Sequence, residues 1–415
     1  MLKSRKITKQ IKQWLFEKEI IILNGARQTG KTSLLSLLKN ELVMSGVNEK
    51  QIFYLNLEEL KILENLNKDP ENLLDYIIFQ NKTNFFLLDE IQYLNNPSNF
   101  LKHIYDKYAP KIKIIATGSS SIELKAQLQD SLAGRKVSFL IHPLNFEEFL
   151  IFKKFAYFDY LKKKKLPEEI KNKFNQALEE YLIYGGMPAI VLQNNKDLKK
   201  KLLEEYISAY INKDIRYIGK IENITDFNNL IKILSSQIGN LVNVSELSNT
   251  TNISRRNIEK YLDLLEYTFV LKRVNPFKSN IRSQIAKMPK FYFFDLGIRN
   301  AILGNFLNTE NREDKGALFE NFVYLELRNQ AKNKIYFYRT IGKSEIDFVI
   351  DNGISLSLFE VKFKKLNKPI DHRILNNFIK FIEKEKRSVK SYVINLNLIQ
   401  KFSKIEYIDY RNLKN

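Results

Sequence analysis

Residues 19–35 read EIIILNGARQTGKTSLL, and this stretch decides how the first part of the chain folds. Ile20 to Leu23 form an apolar run that reads as a buried strand. A glycine-containing loop follows, and then a helical run. Gly25, Gly30, Lys31 and Thr32 make the pattern G-x4-G-K-T, set between a strand and a helix as a phosphate-binding loop requires. Without side chains at the glycines, the loop can wrap closely and turn its backbone N–H groups toward phosphate oxygens. The start of the helix adds positive potential. Lys31 is placed to reach β- and γ-phosphates, and the Thr32 hydroxyl to ligate Mg²⁺. Gly25, Gln28, Thr29, Gly30, Lys31, Thr32 and Ser33 are therefore the expected ATP-binding set.

Working outward, QIFYLNLE, TNFFLLDEI and KIKIIATGS read as further strands with helical segments between them. That alternation predicts an α/β fold with a parallel sheet over residues 1–150. Asp89 ends the apolar run FFLLD and is expected to hold Mg²⁺. Glu90 beside it can polarise the attacking water, which favours hydrolysis over mere binding. The spacing predicts that the Asp89 strand lies next to the strand of the loop. Thr117, Ser119 or Ser120 could bring a hydroxyl to the γ-phosphate, or could simply end a strand. Arg135 could stabilise transition-state charge, in its own subunit or across an interface, or could be a surface residue.

The 415 residues suggest more than one domain, and 44% hydrophobic content lets each bury a core. No cysteine is present, which excludes disulfides and thiolate zinc sites and fits a reducing cytoplasm. Three histidines leave little for a histidine-rich metal site. A formal charge of +20 points to a polyanionic partner, nucleic acid or an anionic membrane surface, unless it reflects lysine-rich composition alone. No apolar run is long enough to span a bilayer. The N-terminus is basic and amphipathic without a secretory h-region, and Ile11, Trp14 and Leu15 are expected to pack on the first domain.

Residues 151–222 read as mainly helical, a lid or linker broken at YGGMPA. Residues 223–283 read as helix, short helix, turn, longer helix and strand, the order of a winged helix-turn-helix. Ser245 and Ser254 are expected N-caps. Arg255, Arg256, Asn257 and Lys260 fall early in the third helix, where it would meet DNA. A helical linker or protein-docking module is the competing reading. In residues 284–415, Asp295 is expected to cap a helix and His142, upstream, to be structural. Asp214 and Arg216 have no assignable role.

SEIDFVIDNGISLSLFEVKFKK, residues 344–365, reads as a hairpin. Glu360 and Lys362 are two apart and share a face, continuing that of Leu356 and Leu358. A two-residue turn at Asn352-Gly353 would set Asp347 opposite Leu358, with Glu360 its diagonal neighbour on one face. A three-residue turn would send Asp347 to the other face. Two carboxylates and a lysine so placed can hold a divalent metal and attack a phosphodiester, or can be surface charges.

GARQTGKT, FFLLDEIQ, IIATGSSS, AGRKVSFLIHPLNFEEF, YGGMPA and the segments GALFENFVYLEL, SEIDFVI and FEVKFKK together resemble bacterial and archaeal ATPases with an AAA-type core and a C-terminal DUF4143 domain. The resemblance covers nearly the whole chain. It implies a C-terminal domain similar to the restriction-endonuclease-like PD-(D/E)xK fold. It adds Glu320 to a metal cluster with Asp347 and Glu360, makes Lys362 the catalytic lysine, and supports Arg135 as a nucleotide-sensing or finger residue. Two functions follow. One is an ATP-driven, DNA-associated enzyme with a metal-dependent nuclease domain, using Mg²⁺ or Mn²⁺. The other is a nucleotide switch whose inactive nuclease-like domain binds DNA or a protein partner. Homo-oligomerisation is open in both.

Overall fold

The computed structural model describes residues 3, 5–79, 81–119, 132–215, 219, 221, 223–277, 288–328, 334–340, 342–370, 372–384 and 387–413. The chain divides into two compact units, Met1–Leu144 with Tyr267–Phe269, and Asn145–Glu266 with Val270–Asn415.

The first unit is built on β1 (Ile20–Gly25), β2 (Ile52–Asn56), β3 (Asn84–Asp89), β4 (Ile112–Ser119) and β5 (Lys136–Leu140). The strands are parallel, in the order β2-β3-β4-β1-β5. Alternation along β1 feeds two cores. Ile20 and Ile22 join Phe86, Leu88, Ile114 and Phe100 on one face. Ile21 and Leu23 join Leu34, Leu38, Leu87 and Ile115 on the other. This is why β1 and β3 are apolar throughout: a parallel strand covered on both sides has no solvent face. Ile11 and Leu15 are buried in the second of these cores and Trp14 packs against it, as expected, although the first helix ends at Lys12. Lys113 ties down the segment after that helix, its ammonium donating to the Trp14 and Glu17 carbonyls at 2.7 Å. One expectation fails here. β4 lies between β1 and β3, so Asp89 is not on the strand next to the phosphate loop.

The second unit holds helices Phe146–Phe152, Glu168–Tyr184, Pro188–Leu192, Lys196–Tyr206, Ile224–Ser236, Val244–Thr251 and Arg255–Tyr267, followed by strands β6 (Leu271–Pro276) and β7 (Lys290–Phe293). After helices Leu296–Leu303 and Lys315–Arg328 come β8 (Ile335–Arg339), β9 (Glu345–Asp351), β10 (Ser355–Val361), helix Arg373–Lys384, β11 (Ser388–Asn395), β12 (Gln400–Phe402) and β13 (Ile405–Asp409). They form one mixed sheet, β12-β13-β11-β10-β9-β8-β6-β7. The boundary expected at residues 283/284 therefore falls between two strands of a single hairpin, β6 and β7. Helix Val244–Thr251 is capped by Asn243, whose side chain accepts from Ser245 N at 2.9 Å, and not by Ser245. Ser254 does cap the next helix, accepting from Asn257 N at 3.3 Å. Among the described residues no helix is long and apolar enough to cross a membrane.

YGGMPA breaks the helical run because its glycines receive a buried carboxylate. Asp295 accepts from Gly186 N at 2.7 Å and caps helix Leu296–Leu303 through Ile298 N at 3.1 Å. Gly185 has φ +76°, and a Cβ there would lie 2.1 Å from Asp295 Oδ1. Neither the backbone conformation nor the space admits a side chain. Gly185→Ala is expected to destabilise the second unit by on the order of 2 kcal/mol, read as an earlier transition in thermal or urea unfolding. An unchanged transition would show that the latch does not matter.

Candidate functional sites

At the carboxyl end of β1, Lys31 is buried and its ammonium donates to the carbonyls of Gly25 at 3.1 Å and Ala26 at 3.0 Å. Burial lowers its pKa, while Glu90 and Asp89 pull it back up. Thr29 Oγ1 donates to Ala26 O at 2.9 Å, Gln28 has φ +60° and Gly30 φ +92°. A Cβ on Gly25 would meet the Ile141 carbonyl oxygen at 2.4 Å, so the loop can pass only as glycine there. Thr32 and Ser33 stand exposed at the start of helix Lys31–Met44. Arg5 braces the loop from outside, donating to Thr29 O at 3.1 Å and to His142 O at 2.9 Å.

β4 brings Thr117 to the end of β3. The Thr117 hydroxyl is hydrogen-bonded to the buried Asp89 carboxylate and accepts from Glu90 N at 2.9 Å. Tyr54 on β2 donates to Asp89 Oδ2 at 2.8 Å, and burial together with that carboxylate pushes the phenol pKa up. Glu90 has φ +60°, a left-handed conformation rare for a side chain of this size, and its carboxylate accepts from Gln92. The backbone of Ser119 lies opposite Gly25 in the β1–β4 register. Of the three expected hydroxyls, Thr117 holds the acid pair, and Ser120 lies outside the described residues.

In the second unit the hairpin turns later than Asn352-Gly353. Asn352 N donates to Ser355 O at 3.0 Å and Gly353 takes φ +78°, so the two turn residues are Gly353 and Ile354. The register becomes Asp351↔Leu356 and Leu358↔Val349. Two more steps toward the open end, past Phe359↔Phe348, set Asp347 opposite Glu360, on one face. The expected partner Leu358 was two residues off, and a two-residue slip preserves the face. Asp347 Oδ2 accepts from Val361 N at 2.7 Å. Lys362 Nζ donates to Glu360 Oε1 at 2.6 Å, while Glu360 Oε2 is buried without a partner. Burial, then Glu320 and Glu360, hold the Asp347 carboxyl well above its ordinary range. Burial also raises Glu360 against the pull of Lys362.

Glu320 is nearby but otherwise engaged. Its Oε1 accepts from Tyr292 OH at 2.6 Å and from Lys290 Nζ at 3.2 Å. The same ammonium is ion-paired with Glu345, whose other oxygen accepts from Arg339 at 3.3 Å. Among the described residues no three acidic or histidine side chains converge as metal ligands.

The phosphate loop at the end of β1 and the acid pair at the end of β3 lie in a part of the chain that matches a known family. Residues 17–150 match the family described as AAA domain, 175–309 a domain of unknown function (DUF8612) and 315–410 a domain of unknown function (DUF4143). The uncharacterized protein MJ1544 of Methanocaldococcus jannaschii is 29% identical, over 99% of this chain and 89% of that protein. An uncharacterized protein of Haemophilus influenzae is 26% identical over 83% of this chain and 82% of its own length. The Walker-type ATPase PABY2304 of Pyrococcus abyssi shares the fold, with a TM-score of 0.50 at 14% identity, over 73% of this chain and 96% of that one. Residues 17–150 thus form an AAA-type P-loop ATPase domain, and residues 315–410 a DUF4143 domain.

Within the ATPase core, Arg135 does not approach the loop of its own chain. It precedes β5, its carbonyl accepting from Ile20 N at the start of β1, and its guanidinium pairs with Asp106. The loop follows the other end of β1, on the order of 15 Å away at about 3.3 Å per strand residue. The finger role in its own subunit is therefore corrected. Arg5, Tyr54 and Lys290 escaped the sequence reading, because each acts on a partner distant in sequence. Arg216 lies outside the described residues.

Two predictions follow from this geometry. Thr117→Val should lower the kcat of ATP hydrolysis by about 10–100-fold with little change in KM, since it loosens the acid pair rather than the loop. A KM effect alone would contradict this. The raised pKa of Asp347 means that the folded chain binds a proton more tightly than the unfolded one. Stability from this group is greatest at low pH and is lost as pH rises from the ordinary carboxylate range through the raised value. Asp347→Asn should accordingly melt later than the parent at pH 8, and the difference should shrink as the pH is taken toward 4.

Proposed function

We propose that the ATPase is Mg²⁺-dependent, works on DNA, and acts in the cytoplasm. The observation that carries the DNA reading is the order of elements from Ile224 to Phe293. Three helices are followed by the hairpin β6–β7, and Leu241 bridges back to Lys290 beside it. That order supports the reading of a winged helix. Arg255, Arg256, Asn257 and Lys260 are all exposed near the start of the third helix, where phosphate contacts would form. The +20 charge suits the same partner.

At the nucleotide site, Lys31 exchanges its two loop carbonyls for phosphate oxygens, which meet an ammonium already taken out of bulk water. The oxygen donors Thr32 and Asp89 suit a hard cation. Thr32 and Asp89 would hold Mg²⁺, which would supply charge neutralisation for the phosphates. Glu90, turned by its left-handed backbone and held by Thr117 and Gln92, orients the attacking water and accepts its proton. Thr117 and Tyr54 keep the Asp89 carboxylate fixed. Ser119 beside Gly25 remains a candidate for contact with the γ-phosphate, and Arg135 for action on a neighbouring subunit.

For the DUF4143 domain, the paired Asp347 and Glu360 with Lys362 support a nuclease-like centre. The unpartnered Glu360 Oε2 is the observation that fits a divalent cation there. The second reading, a nucleotide switch with a non-cutting centre, draws its support from Glu320, which is bound to Lys290 and Tyr292.

Duplex DNA should stimulate ATP turnover, and Lys31→Ala should abolish turnover altogether. Arg255→Ala with Arg256→Ala should weaken binding and reduce the salt slope, log Kd against log salt, by roughly 2. Nicking of plasmid in Mg²⁺ or Mn²⁺ that is lost in Lys362→Ala supports the nuclease reading. Turnover and salt slope unaffected by DNA or by the arginines would remove DNA from the proposal.

A further inference from the structure

The acidic centre of the second unit contains a cation of its own. Lys290 opens β7 and is 2% exposed, yet it carries an ammonium group. Such a group is stable only where charge compensates it. Here Glu320 accepts from it at 3.2 Å and Glu345 forms an ion pair with it. Tyr292, two residues on and facing the same way, donates to the same Glu320 oxygen at 2.6 Å. One fixed positive charge thus binds two carboxylates, from helix Lys315–Arg328 and from the first residue of β9. Among the described residues no such lysine bridges the pair across the hairpin, Asp347 and Glu360. Lys362 donates to Glu360 Oε1 at 2.6 Å, and among the described residues Oε2 is buried and unpartnered.

We propose that Lys290 is a built-in cation occupying the place of a second metal ion in this centre, leaving Asp347 and Glu360 to hold a single exchangeable divalent ion. The inference rests on reading the centre as a metal site. It assigns Glu320 to Lys290 and Tyr292 rather than to the metal. It also accounts for the lack of three converging acidic side chains among the described residues: the ammonium engages Glu320 and Glu345.

The test counts Mn²⁺ bound per full-length chain, from the loss of the free-ion electron paramagnetic resonance signal. It is done without nucleotide and with Asp89→Asn to silence the ATP site. Lys290→Met removes the ammonium and keeps most of the side chain's bulk. The expected result is one Mn²⁺ in the parent and a gain of one in Lys290→Met, with Lys290→Arg remaining at the parental count. Equal counts in parent and Lys290→Met overturn the inference. If both bind one, the metal reading stands and only the role of Lys290 falls; if both bind none, the two fall together. Should Lys290→Met be unfolded without metal, recovery of its melting transition on adding Mn²⁺ is the expected result, and no recovery overturns the proposal.

Discussion

A carboxylate removed from water must be given donors or a cation, and much of this protein is arranged around that demand. Asp89 is buried at the end of an apolar strand, and Tyr54 and Thr117 supply its donors. Asp295 is buried between two helices, where Gly186 and Ile298 provide backbone N–H groups. Glu320 receives Lys290 and Tyr292. Each solution dictates the surrounding fold. β4 has to sit between β1 and β3 for Thr117 to reach Asp89, and residue 185 has to be glycine for Asp295 to enter. At Asp347 and Glu360, as at Asp295, burial raises proton affinity as well.

The phosphate loop was legible because its residues are contiguous and their chemistry is local. So were the apolar strands of the first unit, since a strand covered on both faces leaves an unbroken run. Strand order was not legible. Nothing local to Asp89 announces that β4 intervenes, because β4 owes its position to packing on both cores. The hairpin shows a finer limit. Asn-Gly normally centres a turn on itself, yet here Asn352 closes the turn and Gly353 takes the positive φ. The even slip kept Asp347 on the face of Glu360, so the shared face was legible although the register was not. Lys290 could not be found at all, because a lysine followed by FYFF reads as a strand flank until Glu320 and Glu345 are folded onto it.

The same comparison separates Arg135 from Arg5. Both precede strands or helices of the core and both are single arginines in basic surroundings. Arg135 meets Asp106 at the far end of the sheet, while Arg5 reaches the carbonyls of the loop itself. Distance along a parallel strand makes the difference, since the two ends of β1 are separated by its whole length. A motif-adjacent arginine thus carries little positional information until its strand is oriented.

The centre around Lys290 gathers residues 290, 320, 345, 347 and 360, and so it has an order of assembly. On a chain made from its N-terminus, Lys290 and Glu320 emerge before β9 and β10 exist. Helix Lys315–Arg328 can therefore dock with its acid already neutralised, and the ammonium is shielded before the hairpin arrives. Glu345 joins a cation that is in place. Only Asp347 and Glu360, the last to come, must be buried against one another, so the energetically awkward part of the centre is deferred until most of the sheet is there to hold it.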